Sequence, residues 1–243
     1  MKIALCLSGY FNSSRDFNSL GIDGYNHIKN HILKYGNVDV YIHSWDINNK
    51  DLIESIYGDL IKESLFEPQI NFKPLFISNN LHTKPMREGA TPFWNVFSQY
   101  YSVQKSFELM LNSNIDYDCA IKARFDLGRI NRFSSGTGPS NPYPVQCINF
   151  DPNLDMNYFY MADWQYLETE GPADMWFYSS KSNMSYFAHL FNILSEEIKV
   201  GSIYEEWAGN EDGGMLNTIK GWKWFFLRTG LWENKKTLPT YWE

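Results

Sequence analysis

The triplet Arg124-Phe125-Asp126 places a guanidinium and a carboxylate two residues apart at the end of an apolar stretch, Tyr117–Leu127. Cys119, Ile121, Ala123 and Phe125 alternate there with Ala120, Lys122, Arg124 and Asp126, and a period of two marks a strand. Charged groups at the end of a central strand are costly to bury without partners. In open α/β sheets that strand end is also where ligands sit. The pair therefore suits a charged, metal-bound ligand, and a structural ion pair at a strand end accounts for it equally well. A second constellation is Gly209-Asn210-Glu211-Asp212-Gly213-Gly214, two carboxylates between glycines ahead of a predicted short helix, Met215–Ile219. Its acidic residues either cap that helix, whose dipole favours them, or present a carboxylate as a base or an acceptor anchor.

The elements that must position these groups read as an alternating α/β chain. Lys2–Ser8 is a buried first strand, followed by the polar loop Gly9-Tyr10-Phe11-Asn12-Ser13-Ser14-Arg15. Such a loop can offer backbone N–H groups to a base, ribose or phosphate, although it is not the G-x-G-x-x-G of a dinucleotide fold. Ile22–Tyr35 predicts a helix stopped by Gly36-Asn37. Val38–Ile42 predicts a second strand, ending in His43-Ser44-Trp45-Asp46 at the same sheet edge. Asp51–Glu63 reads as helix, Pro68–Ser78 as short strand-like pieces, and Asn79–Gly89 as loop. Thr91-Pro92 opens a long helix to about Asn112, with apolar residues at helical spacing. Gln99, Ser102 and Gln104 read as ordinary polar positions of that helix, one edge of which can reach the site.

Beyond Leu127, Ser134–Pro144 is a Gly/Pro/Ser-rich connection. Val145–Phe150, Tyr158–Met161 and Asp174–Ser179 predict strands, and Ser182–Lys199 a helix. Trp222–Leu227 reads as an aromatic strand and Trp232–Glu243 as a surface wrap. Trp164, Tyr166, Trp176 and Trp207 can offer a stacking platform for a sugar ring, and core packing is the simpler use of each.

Composition narrows the function. The 243 residues, 44% hydrophobic and 17% aromatic, suffice for one α/β domain with a large core. A net charge of −7 with scattered Lys and Arg lacks the basic stripe of a nucleic-acid binder, so no nucleic-acid partner is expected. Cys6, Cys119 and Cys147 are odd in number and widely spaced, which predicts buried thiols in a reducing, cytoplasmic compartment. No metal motif of the CxxC or HExxH kind occurs, and no apolar run is long enough for a membrane span.

Taken in order, LSGYFNSSR after the first strand, HSWD after the second, the SQYYSVQKSF helix, IKARFDL, DMWFYSSKSNM and NEDGGML resemble GT-A-type nucleotide-sugar glycosyltransferases. The likeness is greatest to the small glycosyltransferase-like proteins encoded by large algal viruses (chloroviruses). It implies a single GT-A-like domain with a Rossmann-like mixed sheet flanked by helices, residues 1–127 forming the nucleotide-binding half and 128–243 the acceptor side. The family normally carries Asp-x-Asp where this chain has Arg124-Phe125-Asp126. By the resemblance, Asp126 holds Mn²⁺ or Mg²⁺ on the donor diphosphate and Arg124 takes part of the phosphate charge, the variant being a metal-independent site that uses Arg124 and Lys122. Leu7, Ser8, Gly9 and Arg15 lie near the nucleotide, and His43, Trp45 and Asp46 close to the base. Asp174 or Asp212 faces the anomeric carbon as the catalytic carboxylate. The implied activity is hexose transfer from a UDP-sugar, UDP-glucose with retention by analogy, to a glycan or glycoprotein acceptor. Two other readings stand beside it: an idle carbohydrate- or nucleotide-binding domain, favoured by the incomplete Asp-x-Asp, and a nucleotidyltransferase, for which the glycine- and lysine-rich phosphate loop is missing.

Overall fold

Ile3–Gly9 forms strand β1 at the heart of one sheet, with parallel neighbours on both sides, β2 (Val38–Ser44) and β4 (Cys119–Arg124). In this computed structural model the described residues are 1–11, 20–81, 92–128, 147–163, 167–209 and 217–239. Arg15, Thr91, Trp164, Tyr166, Asp212 and the Ser134–Pro144 connection lie outside them. β3 (Ile61–Phe66) pairs in parallel beyond β2, and β6 (Trp176–Ser179) pairs antiparallel beyond β4. β5 (Phe159–Ala162) and β7 (Lys235–Leu238) complete the order β3-β2-β1-β4-β6-β5-β7. The fold is α/β, with a Rossmann-like mixed sheet in which β6 runs against its neighbours. Segments before and after Leu127 contribute strands to that one sheet.

Alternation along the strands sorts two cores. Ile3, Leu5, Leu7, Val40, Ile42 and Ile121 face α1 (Leu20–His31) and α2 (Lys50–Tyr57), meeting Ile28, Ile32, Ile53 and Tyr57. The smaller Ala4, Cys6 and Ala120 face the other way, so that a long helix, α4 (Asn95–Asn112), lies close on β1 and β2. α3 (Lys73–Ser78), α5 (Lys181–Met184), α6 (Leu190–Glu197), α7 (Ile203–Ala208) and α8 (Thr218–Thr229) add Phe76, Met184, Leu194, Tyr204, Trp222 and Phe225 to that second core. Among the described residues, no helix is long and apolar enough to cross a membrane.

Several elements differ from the sequence reading. The helix expected over Asp51–Glu63 stops at Gly58, which takes a left-handed φ of 50°, and Ile61–Phe66 becomes edge strand β3. Pro68–Ser78 holds no strand; Pro74 sits in the first turn of α3, where a missing N–H costs nothing. Cys147–Phe150 is irregular, and the helix expected over Ser182–Lys199 is broken by a 3₁₀ stretch at Ser185–His189. Trp222–Leu227 is the body of α8, because a short apolar run fits a buried helix as well as a strand. Trp176, a candidate sugar platform, is fully buried in the core, and Trp207 packs on Tyr204 and Trp224.

Helix α1 sets the position of the turn that follows β4. A Cβ added at Gly24 would come within 1.7 Å of the Phe125 carbonyl oxygen, so helix and turn touch backbone to backbone. Gly128, at φ 71°, leaves room for the His27 ring, and His27 Nε2 accepts the Ile148 N–H at 3.1 Å. Burial and the adjacent His31 lower the His27 pKa to about 4, so the ring is neutral and able to accept. Gly24→Ala tests the contact. Helix propensity alone would favour alanine by about 1 kcal/mol. The clash has the opposite sign and a rigid partner, so the variant is expected to lose about 2–3 kcal/mol in a denaturation measurement.

Candidate active site

The chain leaves β1 toward β2 on one side, while β4 joins β1 on the other, so the strand order changes direction between β1 and β4. Ligands of open α/β sheets bind outside the carboxyl ends of the strands at such a point. Ser8 is in register with Arg124 across it, and Gly9 with Ser44 of β2. Because β6 runs the other way, its beginning lies at this edge too, and the Arg124 N–H donates to the Met175 carbonyl at 3.3 Å. That reversal brings Asp174 beside Arg124.

Arg124 is held between two carboxylates. Its Nε and Nη2 donate to the two oxygens of Asp126, each at 2.9 Å, and its Nη1 donates to Asp174 Oδ2 at 3.4 Å. A fork of this kind fixes orientation as well as charge. Gln99 of α4 donates its amide to the same Asp174 oxygen. Burial opposes the guanidinium charge, but Asp126 and Asp174 outweigh it and keep Arg124 protonated. Burial likewise opposes ionisation of Asp174, yet Arg124, Lys122 and Gln99 hold its carboxyl below the usual range. The side chains of Arg124, Asp174 and Asp126 remain 34%, 21% and 13% exposed, so a ligand can reach the cluster from the sheet edge.

Lys122 is placed differently from the expected phosphate contact. It is fully buried on the α4 face of β4, with its Nζ 5.3 Å from the ring centroids of both Phe177 and Trp222. The amino group donates to the main-chain oxygen of Asp174. It therefore braces the start of β6 from below and does not face a ligand. Loss of solvation lowers its pKa to about 7, against the pull of Asp174.

A second network fixes the ends of β1 and β2. The Gly9 N–H donates to Ser102 Oγ at 2.9 Å, and Ser44 Oγ donates to the Gly9 carbonyl at 2.8 Å. Ser102 Oγ is 2.8 Å from His43 Nδ1, and His43 Nε2 is 3.0 Å from Glu67 Oε1. Burial lowers the His43 pKa despite Glu67. The neutral ring then carries its proton toward the carboxylate on Nε2 and accepts the serine hydroxyl on Nδ1. His43 meets Trp45 edge-on at 4.7 Å, and Trp45 stacks on Tyr101 at 5.5 Å. Asp46 accepts both carboxylate contacts from Asn49 Nδ2, at 2.9 Å.

The structure thus gathers Ser8, Gly9, His43, Trp45, Asp46, Arg124, Asp126 and Asp174 along one edge, and Arg15 and Asp212 lie outside the described residues. Leu7 and His43 are fully buried and Trp45 nearly so, which makes them supports of that edge. The backbone N–H of Gly9, expected to meet a ligand, is spent on Ser102. Gln99 and Ser102, expected as ordinary polar positions of a helix whose edge can reach the site, do take part in it, and Glu67 and Tyr101 are participants that the sequence reading did not single out. The available signal was the spacing of small polar residues, Ser98, Ser102 and Ser106, among the large buried residues Phe97, Tyr100, Phe107 and Met110 of α4.

Asp126, the expected metal ligand, is engaged by Arg124. Both oxygens of Asp126 are taken up by Arg124, and among the described residues no group of three His, Cys, Asp or Glu side chains could hold an ion.

The Lys122 titration has a defined sign. An unfolded lysine keeps its proton to about 10.5, whereas the folded one gives it up at about 7. Between those values the unfolded chain binds more protons, so raising the pH favours the fold. Stability relative to Lys122→Met is expected to rise by a few kcal/mol from pH 7 to pH 10, read by denaturation of both proteins. Taking the difference removes the buried tyrosines and thiols, which titrate in both. Compared with known proteins, the chain matches no family, no curated protein and no solved structure.

Proposed function

We propose that the chain is a GT-A-type nucleotide-sugar glycosyltransferase that moves a hexose from a UDP-sugar, UDP-glucose in our reading, to a glycan or glycoprotein acceptor. The observation that carries this reading is the part-exposed cluster of Arg124, Asp126 and Asp174 at the carboxyl edge of β4, beside the change of strand order. A mixed Rossmann-like sheet is the scaffold such an enzyme needs. A carboxylate held ionised by Arg124 is a weak base. Asp174 therefore suits a fixed anion that stabilises positive charge at an anomeric carbon, which fits retention better than inversion. Mn²⁺ or Mg²⁺ belongs to the proposal as an ion brought by the donor diphosphate. A reducing, cytoplasmic setting belongs to it as well, supported by the buried free thiols of Cys6 and Cys119.

The Arg124–Asp126 fork also favours a second reading, an idle nucleotide- or carbohydrate-binding domain, because it ties up the carboxylate that metal-assisted transfer would use. A thermal-shift screen of UDP, GDP, CMP and dTDP sugars, each with and without Mn²⁺, tests the donor site. One UDP-sugar at about 100 times its dissociation constant is expected to raise the melting temperature by about 5–10 °C. Release of UDP from that sugar in the presence of glycan acceptors then separates a transferase from an idle binder. Absence of a shift with every nucleotide would sink the donor assignment.

A further inference from the structure

An enclosed ammonium is costly unless a carboxylate pairs with it directly. Lys122 is fully buried, and among the described residues it has no such ion pair. Its Nζ donates to the main-chain oxygen of Asp174 and otherwise faces the rings of Phe177 and Trp222, each centroid 5.3 Å away. Cys6, in register with it on β1, and Tyr100 of α4 stay protonated because burial raises both of their pKa values, so neither supplies a compensating charge. The charges that act on Lys122 lie at the sheet edge: Asp174 and Asp126 favour the ammonium, and Arg124 opposes it. Loss of solvation outweighs them and brings the amine to about 7, close to an even division between its two forms at neutral pH. A further charge at that edge is therefore able to decide which form is present.

We infer that Lys122 is a buried, proton-gated counter-charge: an anionic ligand settling on the sheet edge beside Arg124 and Asp174 draws a proton onto the amine beneath it. The proton comes from the buffer and joins the Nζ lone pair, and no bond between lysine and ligand is formed. Contact is unnecessary, because in a poorly screened interior one charge acts on another across several ångströms. The link is reciprocal, so lowering the pH tightens anion binding and deprotonation of Lys122 weakens it. The inference rests on the reading of this edge as a nucleotide-sugar site. A donor diphosphate without metal brings two negative charges to it, whereas Mn²⁺ on the same diphosphate cancels them and removes the call for a proton.

Calorimetric titration with UDP-glucose, with and without Mn²⁺, in buffers of low and high ionisation enthalpy counts the protons exchanged on binding. UDP-glucose is the probe because its phosphates, both diesters, do not titrate near neutrality. The expected result without metal is uptake of about 0.3–0.5 proton per ligand near about pH 7.5. With Mn²⁺, and in Lys122→Met, uptake is expected to fall below about 0.1 proton. Should Lys122→Met not fold, the pH course in the unaltered protein decides, with a maximum between about pH 7 and 8 and no uptake by about pH 5.5. Binding without uptake, uptake that persists in Lys122→Met, or a maximum below about pH 6.5, where a histidine titrates, would overturn the inference and leave the nucleotide-sugar reading in place. Failure of the unaltered protein to bind UDP-glucose would overturn that reading, and the inference with it.

Discussion

The arrangement on which this sheet edge depends is a guanidinium clasped by two carboxylates at the end of β4. A charged group at the end of a central strand needs compensation, and the chain supplies it from two directions. Asp126 comes from the turn two residues on, a local partner that any β4 ending in this triplet would have. Asp174 comes from about fifty residues away and reaches the edge only because β6 is reversed, so that the start of one strand meets the finish of another. The topology of the sheet and the electrostatics of the site are therefore one fact seen at two scales.

Much of what surrounds this clasp is already satisfied internally. Gly9 spends both backbone polar groups on Ser102 and Ser44. His43 spends both ring nitrogens, and Lys122 supports a main-chain oxygen inside an aromatic enclosure. Bonds of this kind hold backbone in place for other groups. The open chemistry is narrower than the list of polar residues at the edge suggests, and it is concentrated where Arg124, Asp174 and Gln99 remain partly exposed.

How much of this could be read from the chain depended on whether the signal was local. β1, β2 and β4 were legible because each alternates or is uniformly apolar and ends in polar residues; those ends did fall on one edge. Trp222–Leu227 was misread because five apolar and aromatic residues with one lysine carry no period long enough to choose between strand and helix. Ile61–Phe66 was hidden because an edge strand exposes Lys62 and Glu63 and owes its form to pairing with β2. Within the site, Arg124, Asp126 and Asp174 were nameable by residue type. The burial of Lys122 was not, since a lysine in a strand gives no sign of which face it will share with Phe177 and Trp222.

The backbone contact of Gly24 with the Phe125 carbonyl, and the grip of His27 on Gly128 and Ile148, make α1 a common bearing for two separate stretches of chain. The fork that aims Arg124 is seated on the turn that α1 abuts, from the opposite face of the sheet to Lys122. A displacement of that helix by a fraction of an ångström would travel to Asp126 and to the Cys147–Phe150 segment at once. Substitutions far from any reacting atom, in the packing of Ile28 and Ile32, can therefore tune the site by shifting its foundation while every polar residue stays the same.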